Sequence, residues 1–395
     1  LLMKKLLFLF ISLSFFCKAQ NPGDIAQNFG AYPGFNDKVN TIAIQSDGKI
    51  ILGGNFTSYR GQNANRIIRL NPDGTKDNSF LIGNGFDGNV TSIVIQNDGK
   101  IIVGGWFTLY NILSSNRIIR LNDDGSKDTS FNVGIGFNNY IKSIILDNNE
   151  KIIIGGEFTS YNGQSETRIV RLNSDGSKDI SFSTGTGFDG TIYNIAVQND
   201  NKIIVGGIFN NYNLTSATRI IRLNDDGSRD ISFNIGTGFG GSVLSIVLQN
   251  DGKILVGGNF SSYNGATESN IILLNTDGTK DSSFNTGTGF NFGVNVIKEQ
   301  VNGKIIIAGD FTTYNSVAQN RIIILNLDGS IDNSFDIGTG FNNSVNAIAV
   351  QNNGTIILGG NFNDFNNSAQ HNIMFLNTDG TKDINFNAGT GLNNS

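Results

Sequence analysis

The chain reads as an all-β protein: a seven-bladed β-propeller with four antiparallel strands in each 51-residue blade. Three observations predict it. A motif of the form Gly-Gly-x-Phe places its phenylalanine at Phe56, Phe107, Phe158, Phe209, Phe260, Phe311 and Phe362, a constant step of 51 residues. Self-similarity at such a period marks a propeller, a solenoid or an array. Each unit holds four β-rich runs separated by turn residues, and no helical periodicity interrupts them. Seven units counted from Val39 end on Ser395 with no insertion, which suits a closed ring without exposed sheet edges better than an open solenoid.

The second unit shows how each element is expected to form. Residues 90–96 carry apolar Val90, Ile93 and Ile95, the turn Asn97-Asp98-Gly99 follows, and residues 100–105 are again β-rich. Two such runs around Asp-Gly are a hairpin. Residues 107–116 form a longer connection to Arg117-Ile118-Ile119-Arg120-Leu121-Asn122, after which Asp123-Asp124-Gly125 turns into a fourth run, 126–131. Strands A to D are therefore joined by tight A/B and C/D turns and a longer B/C loop. Blades are expected to start near residues 39, 90, 141, 192, 243, 294 and 345, preceded by a signal peptide (1–19) and a closing segment (20–38). In that segment Phe29 and Gly34-Phe35 match Phe80 and Gly85-Phe86 at the end of a unit, so it is expected to sit beside blade 7 and help closure.

The run Asn-Asp-Gly-Lys-Ile-Ile-Val-Gly-Gly-x-Phe-Thr (97–108), then Asn-Arg-Ile-Ile-Arg-Leu-Asn-x-Asp-Gly-Ser-x-Asp-x-Ser-Phe-Asn (116–132) and Gly-x-Gly-Phe, resembles the delta-60 repeat. That is a β-propeller repeat of unknown function found in secreted bacterial proteins. The resemblance covers Phe29 to Ser395 and holds seven times. It implies a propeller and an exported context, and it brings no catalytic residues. The double glycine also resembles kelch blades, more weakly.

Two further aromatic slots recur: Phe80, Phe131, Phe182, Phe233, Phe284, Phe335 and Phe386, and then Phe86, Phe137, Phe188, Phe239, Phe290 and Phe341, with Leu392 last. Presence in every blade points to core rather than to a carbohydrate platform, and each buried ring stabilises by roughly 1.5–3 kcal/mol. The segment Asn122-Asp123-Asp124-Gly125-Ser126-Lys127-Asp128, repeated in each unit, superficially resembles a calcium loop. The position two residues before its Asn holds Arg69, Arg120, Arg171, Arg222, Leu273, Ile324 or Phe375, none of which can ligate calcium. A type I turn with a glycine bulge is the expected reading. A three-residue loop then sets Arg69 opposite Asp77, Arg120 opposite Asp128, Arg171 opposite Asp179 and Arg222 opposite Asp230.

Lys4 and Lys5 precede an apolar stretch, 6–16, and Cys17-Lys18-Ala19 follows. This reads as a secretory leader starting at Met3 and cleaved after Ala19, too short to span a bilayer; a lipid anchor at Cys17 is the rival. Cleavage leaves 25 basic against 33 acidic residues and no cysteine. An acidic surface disfavours phosphate backbones and anionic lipid, so neither nucleic acid nor a membrane is an expected partner. No later run reaches membrane length. With one Cys and one His in the chain, no disulfide framework, Cys/His metal site or cofactor is expected.

Function is less legible. The A/B and C/D turns are uniform, whereas the B/C loops vary, and loops on rigid scaffolds commonly carry recognition. Alternation puts B/C and D/A connections on one face. The candidate ligand contacts there are Arg60, Gln62, Gln164, Glu166, Glu268, Gln319 and His371, with neutral drift of solvated loops as the plain alternative. Lys298 and Glu299 interrupt an otherwise apolar inner strand, which implies a buried compensating pair or a role in the channel. Trp106, Glu157 and Asp310 share the variable slot of Gly-Gly-x-Phe; two carboxylates three blades apart cannot act as a glycosidase pair. The expected protein is thus an exported, monomeric, non-enzymatic scaffold, extracellular, at the cell surface or in the periplasm. It would bind an unknown protein or glycan. A secreted propeller hydrolase or lyase acting on glycans is the alternative.

Overall fold

The structure, a computed structural model, describes residues 34–386. The expectations for the leader, for Phe29 and for Leu392 lie outside the described residues.

The protein is an all-β, seven-bladed propeller. In blade 1, strand A (Val39–Ile44), strand B (Ile50–Gly54) and strand C (Ile67–Leu70) form an antiparallel sheet in the order A-B-C. Six further sheets repeat this order, with strands A at Val90–Ile95, Ile141–Leu146, Ile192–Val197, Ser242–Leu248, Val294–Glu299 and Val345–Val350. Strand D is short. It pairs through the single bridge Leu70↔Lys76, then through Asp77 N–H to the Arg69 carbonyl at 3.0 Å. It stops because Asp77 captures the chain: its Oδ1 accepts Ser79 N–H at 2.9 Å and its carbonyl accepts Phe80 N–H at 3.3 Å, an Asx turn that leads away from the sheet. The B/C connection is not a simple loop. It folds as a small hairpin, Ser58–Tyr59 against Gln62–Asn63, with both tip residues at positive φ (Arg60 49°, Gly61 74°), the geometry of a type I′ turn.

The inner strand carries one irregularity in every blade. The A/B register slips between Val39 and Thr41, leaving Asn40 as a bulge; Thr91, Lys142, Tyr193, Leu244, Asn295 and Asn346 occupy the same place. A bulge re-aims the side chain it frees.

The ring is closed. Each strand A packs against the strand A of both neighbours, including that of blade 1 against that of blade 7. One core cluster joins Phe35, Val39 and Tyr59 to Ile357, Ile373, Phe375 and Phe386. Phe35 fastens the seam from the N-terminal side: its N–H donates to the His371 carbonyl at 3.3 Å and its carbonyl accepts Asn372 Nδ2 at 2.8 Å.

The repeated aromatic slots are core. Phe86 packs on Phe107 and Tyr110 at 4.3 and 4.6 Å between ring centres, and the same trio recurs in every blade, with Phe365 for the tyrosine in blade 7. The tyrosine hydroxyl caps the C/D turn, as in Tyr59 Oη to the Gly74 carbonyl at 2.9 Å. The C/D segment forms the turn expected: Gly74 N–H donates to the Asn71 carbonyl, Asn71 N–H to the Thr75 carbonyl, and Gly74 sits at φ 82°.

The register of the Arg–Asp pairs also holds. Arg69, Arg120, Arg171 and Arg222 each place Nε 2.7 Å from Oδ2 of Asp77, Asp128, Asp179 and Asp230. These guanidinium groups do more than pair within a blade. Arg69 Nη1 donates to the Asp123 carbonyl and Oδ1 at 2.6 Å, and Arg171 Nη1 to Asp225 Oδ1 at 2.5 Å, so each reaches the C/D turn of the next blade. Each lies over a phenylalanine of its own unit, such as Arg171 on Phe182 at 4.9 Å. The A/B-turn lysine meets the same carboxylate in blades 1 to 4 (Lys49, Lys100, Lys151, Lys202), and in blades 5 and 6, which have no arginine there, it pairs alone, Lys253 to Asp281 at 2.7 Å and Lys304 to Asp332 at 2.5 Å.

Stability should therefore fall in acid. The Lys253 ammonium, followed by the Ser283 N–H and hydroxyl, brings the Asp281 carboxyl down to about 2. Burial pushes the other way at Asp77, Asp128, Asp179 and Asp230, but their hydroxyl, N–H, Lys and Arg donors outweigh it and hold them lower still. A carboxylate lowered on folding stabilises above its unfolded value and loses that contribution as pH falls through the folded one. Thermal unfolding followed from pH 6 to 2 should show Tm dropping below about pH 4, and a flat profile would contradict this ion-pair account.

Glycine is required at one step of strand B. A Cβ on Gly105 would lie 2.1 Å from the Asn89 carbonyl oxygen, whereas one on Gly104 would meet only side-chain methyls of Ile141 and Ile144. Blade 6 already tolerates the second case, since its first motif glycine is Ala308, fully buried. Gly105→Ala should cost several kcal/mol and Gly104→Ala about 1–3 kcal/mol, a difference readable in urea unfolding.

Candidate functional site

The face that carries the B/C hairpins also carries the D/A connections, joined by bridges such as Phe86↔Tyr110. On this face the variable residue of Gly-Gly-x-Phe, at the end of strand B, stands beside the bulge of strand A. In blade 1 the pair is polar: Asn40 Nδ2 donates to Asn55 Oδ1 at 2.9 Å and to the Val90 carbonyl of blade 2 at 3.0 Å. Between blades 2 and 3 it is different. Trp106 stacks on Tyr140 with ring centres 4.5 Å apart and planes 14° from parallel. The Lys142 ammonium lies 4.6 Å from the indole centre and 3.1 Å from Glu157 Oε1. The Arg117 guanidinium lies 5.1 Å from the Tyr140 ring centre, and its Nη1 donates to the Trp106 carbonyl at 2.5 Å. Burial first, then the Glu157 charge, raises the Tyr193 phenol above its usual range.

Trp106 remains 38% exposed. A flat indole stacked on Tyr140, with the Lys142 ammonium over its ring and Glu157 on that ammonium, offers a partly exposed aromatic surface beside one cation and one carboxylate. That is the usual composition of a small-ligand site. Because the bulge residues belong to the innermost strand, this plane stands at the mouth of the ring.

The residues nominated from the B/C loops are spread around the ring and play different parts. Arg60, at a hairpin tip, lies over Tyr59 at 5.0 Å. Gln62 and Gln164 are exposed, and Gln319 is half-buried. Glu166 and Glu268 are buried and form ion pairs with Lys178 and Lys280, so they hold their hairpins to strand D. His371 is half-buried and its carbonyl accepts Phe35 N–H at the closing seam. These seven residues belong to blades 1, 3, 5, 6 and 7, and none to the Trp106 cluster.

Lys298 and Glu299 do not form the buried pair expected of them. Lys298 is exposed and Glu299 half-buried, and successive residues of a strand point to opposite faces. Burial, with the Asp251 charge behind it, raises the Glu299 carboxyl. Its slot is filled by Ile44, Ile95 and Val350 in blades 1, 2 and 7, where these residues line a cavity of about 680 Å³ with Gln45, Gln96 and Gln351 at the A/B turns. Among the described residues no cluster of three or more His, Cys, Asp or Glu is placed to hold a metal, and no helix is long and apolar enough to cross a membrane.

A family model described as a domain of unknown function (DUF5122) β-propeller matches residues 45–80, 96–131, 148–182, 198–233, 249–284, 300–335 and 351–386. The chain belongs to the DUF5122 β-propeller family. Each match starts at the end of strand A and runs to the Ser-Phe slot, so the family pattern is that of the strand B, hairpin, strand C and turn scaffold. Among solved structures, the WD40 β-propeller domain of Doa1 is similar at 15% identity and a TM-score of 0.55, over 83% of this chain and 91% of that one. The extracellular domain of the putative hybrid two-component system BT3049 from B. thetaiotaomicron aligns at 15% identity and 0.48, over 87% of this chain and 39% of that one. A streptogramin B lyase structure aligns at 17% and 0.45, over 84% and 92%. At 15% identity the likeness to the Doa1 domain speaks to the fold alone. A search of curated proteins returns no match.

Proposed function

We propose that this propeller is an exported, non-enzymatic binding protein that holds a glycan on the Trp106 plane. The observation that supports this reading is the Trp106–Tyr140–Lys142–Glu157 cluster. Aromatic rings supply a large rigid apolar surface, suited to the C–H face of a sugar ring, while Lys142, over the indole, and Glu157, paired with it, offer a donor and an acceptor to hydroxyls. The fold leaves these positions free to vary: Asn, Ile, Asp and Glu also occupy the Trp106 slot in other blades, so the indole is not needed to build a blade. Export rests on the leader-like N-terminus.

The test is a glycan array probed with the full-length mature chain and with Trp106→Ala. The expected result is a defined set of glycans retained by the wild type and reduced at least tenfold by the substitution, with Tm changed little. Equal retention by both proteins would remove the cluster from the binding site.

A further inference from the structure

A second departure from the repeat lies on the same face, between blades 5 and 6. In six blades the residue after the Gly-x-Gly-Phe phenylalanine (or Gly34-Phe35 ahead of blade 1) is Asn36, Asp87, Asn138, Asp189, Asn291 or Asn342. Its Oδ1 accepts two consecutive backbone N–H groups of the B/C hairpin. Asn36 takes those of Thr57 and Ser58, both at 2.9 Å, and Asp87 takes those of Thr108 and Leu109, both at 2.8 Å. The second atom of the same head group meets the next side chain, as in Thr108 Oγ1 donating to Asp87 Oδ2 at 2.5 Å and Asn36 Nδ2 donating to Thr57 Oγ1 at 2.8 Å. Each of these six units thus builds a receptor for a planar carboxyl-type group and fills it with its own side chain.

Blade 5 does not fill it in that way. The equivalent residue is Gly240, and no side chain among the described residues takes the N–H groups of Ser261 and Ser262 as Asn36 takes those of Thr57 and Ser58; instead the Ser262 hydroxyl turns into the vacated space, 2.2 Å from where a Cβ on residue 240 would stand. A second substitution opens the space in front. Arg66, Arg117, Arg168, Arg219 and Arg321 share a slot that holds Asn270 in blade 5 and Asn372 in blade 7; only blade 5 combines the asparagine with a glycine at the acceptor position. Where Arg321 reaches the Asp310 carbonyl, the shorter Asn270 turns inward, accepting Phe260 N–H at 3.0 Å and donating to the Phe290 carbonyl at 2.9 Å. The result is a cavity of about 640 Å³ whose walls include Gly240, Ser261, Asn270, Asn259, Thr288 and Thr313. Its lining holds no charged side chain and is rich in hydroxyls and amides.

We propose that this cavity is a binding site for a hexuronate: the Ser262 hydroxyl turns aside, and the carboxylate takes its place on the N–H groups of Ser261 and Ser262 with its second oxygen accepting the Ser261 hydroxyl. The ring hydroxyls then face Thr288, Thr313 and Asn259. With a carboxylate the Ser261 hydroxyl donates, as Thr108 does to Asp87; with a carboxamide it would accept, as Thr57 does from Asn36, so the glucuronamide is the competitor that the titration must separate. In blades 2 and 4 burial works against the Asp87 and Asp189 carboxylates, yet the same N–H donors keep both below the usual range. The site is separate from the Trp106 plane and stands or falls without it.

The experiment is ligand-observed NMR titration of the full-length mature protein with D-glucuronate, D-glucose and D-glucuronamide. It is run on the wild type, Gly240→Asn and Asn270→Arg. Gly240→Asn restores the side chain that six units carry, and Asn270→Arg refills the cavity by a second route, so a folding defect in one leaves the other to decide. Expected is saturable glucuronate binding to the wild type, at least tenfold weaker in both variants, with glucose at least tenfold weaker than glucuronate. Failure of glucuronate to saturate the wild type, equal binding by either folded variant, or tighter binding of the glucuronamide would overturn the proposal. Trp106→Ala is expected to leave glucuronate affinity unchanged, which separates this site from the glycan plane.

Discussion

Phe35→Ala is expected to lower stability by about 3–5 kcal/mol and to open the ring at one seam. Phe35 is fully buried against Phe56 and Tyr59, at 4.3 and 4.7 Å between ring centres, and its backbone bonds to blade 7. It stands outside the sheets, yet it is the piece of chain that joins first blade to last. The comparison that isolates closure is Phe188→Ala. Phe188 makes the same contacts inside the ring, at 4.6 Å to both Phe209 and Tyr212. Both substitutions remove one buried ring, so both lower Tm. Only Phe35→Ala should raise hydrogen exchange selectively in the strands A of blades 1 and 7, because only there does chain continuity not hold the neighbours together. Exchange that rises equally at all seams would show that closure does not depend on Phe35.

The second large effect is expected at Arg171. Its side chain is only 2% exposed and meets Asp179 and Asp225 at 2.7 and 2.5 Å, with Asp147 at 3.6 Å. Removing one partner of a buried pair costs about 3–5 kcal/mol, because the remaining charge stays in a poor solvent. Arg171→Ala leaves the buried Asp147 without its cation and a void beside Asp179, which keeps Lys151; Asp179→Ala takes away the partner of Arg171 Nε and leaves the guanidinium with Asp147 and Asp225. Arg171→Leu should cost less, since Leu273 fills that slot in blade 5 and Asp281 there relies on Lys253, as Asp179 can rely on Lys151 at 2.7 Å. Urea unfolding of the three variants should rank the leucine substitution as the mildest. An alanine variant as stable as the wild type would mean that the inter-blade arginines contribute nothing to the seams.

Much of the scaffold was legible because a repeat makes each residue type speak seven times. The 51-residue step, the phenylalanine slots, the bulged Asn-x-Asp-Gly turn and the Arg–Asp register are local rules that any one unit would only suggest. What escaped is instructive. The small hairpin inside the B/C connection is signalled by Asn162-Gly163 and Asn264-Gly265, the usual type I′ pair. The other units hide it by placing residues such as Ile112 and Leu214 at the same positive-φ tip. Strand D was expected to be longer, and the Asp77 side chain ends it by capturing Ser79. The bulge in strand A slips the register by one residue, which alternation alone does not reveal. For that reason alternation alone does not set Lys142 and Tyr140 beside Trp106, far from them in sequence, whereas the variable B/C loops stand out at once. The Tyr59 series, which anchors hairpin to turn, is just as regular but is masked by the more frequent phenylalanine.

The physical lesson concerns where to look in a closed ring of near-identical units. Slots that never change are explained by packing. Slots that change singly, as at Gly240, or together, as at Trp106, Tyr140 and Lys142, are where a unit gives up the repeat rule without loss to the fold, and these are the places where ligand chemistry can be written.

That account is tested most directly by returning the Trp106 cluster to the residues found in the same slots of sister blades. The triple variant Trp106→Asn, Tyr140→Ser and Lys142→Asn copies Asn55, Ser344 and Asn40. Its Tm and its glycan-array signal would be measured beside the wild type. The prediction is a Tm within a few degrees of the wild type and an array signal reduced at least tenfold. A variant that keeps the full signal, or one that loses its fold along with its signal, would contradict the claim that function here resides in the residues that break the repeat.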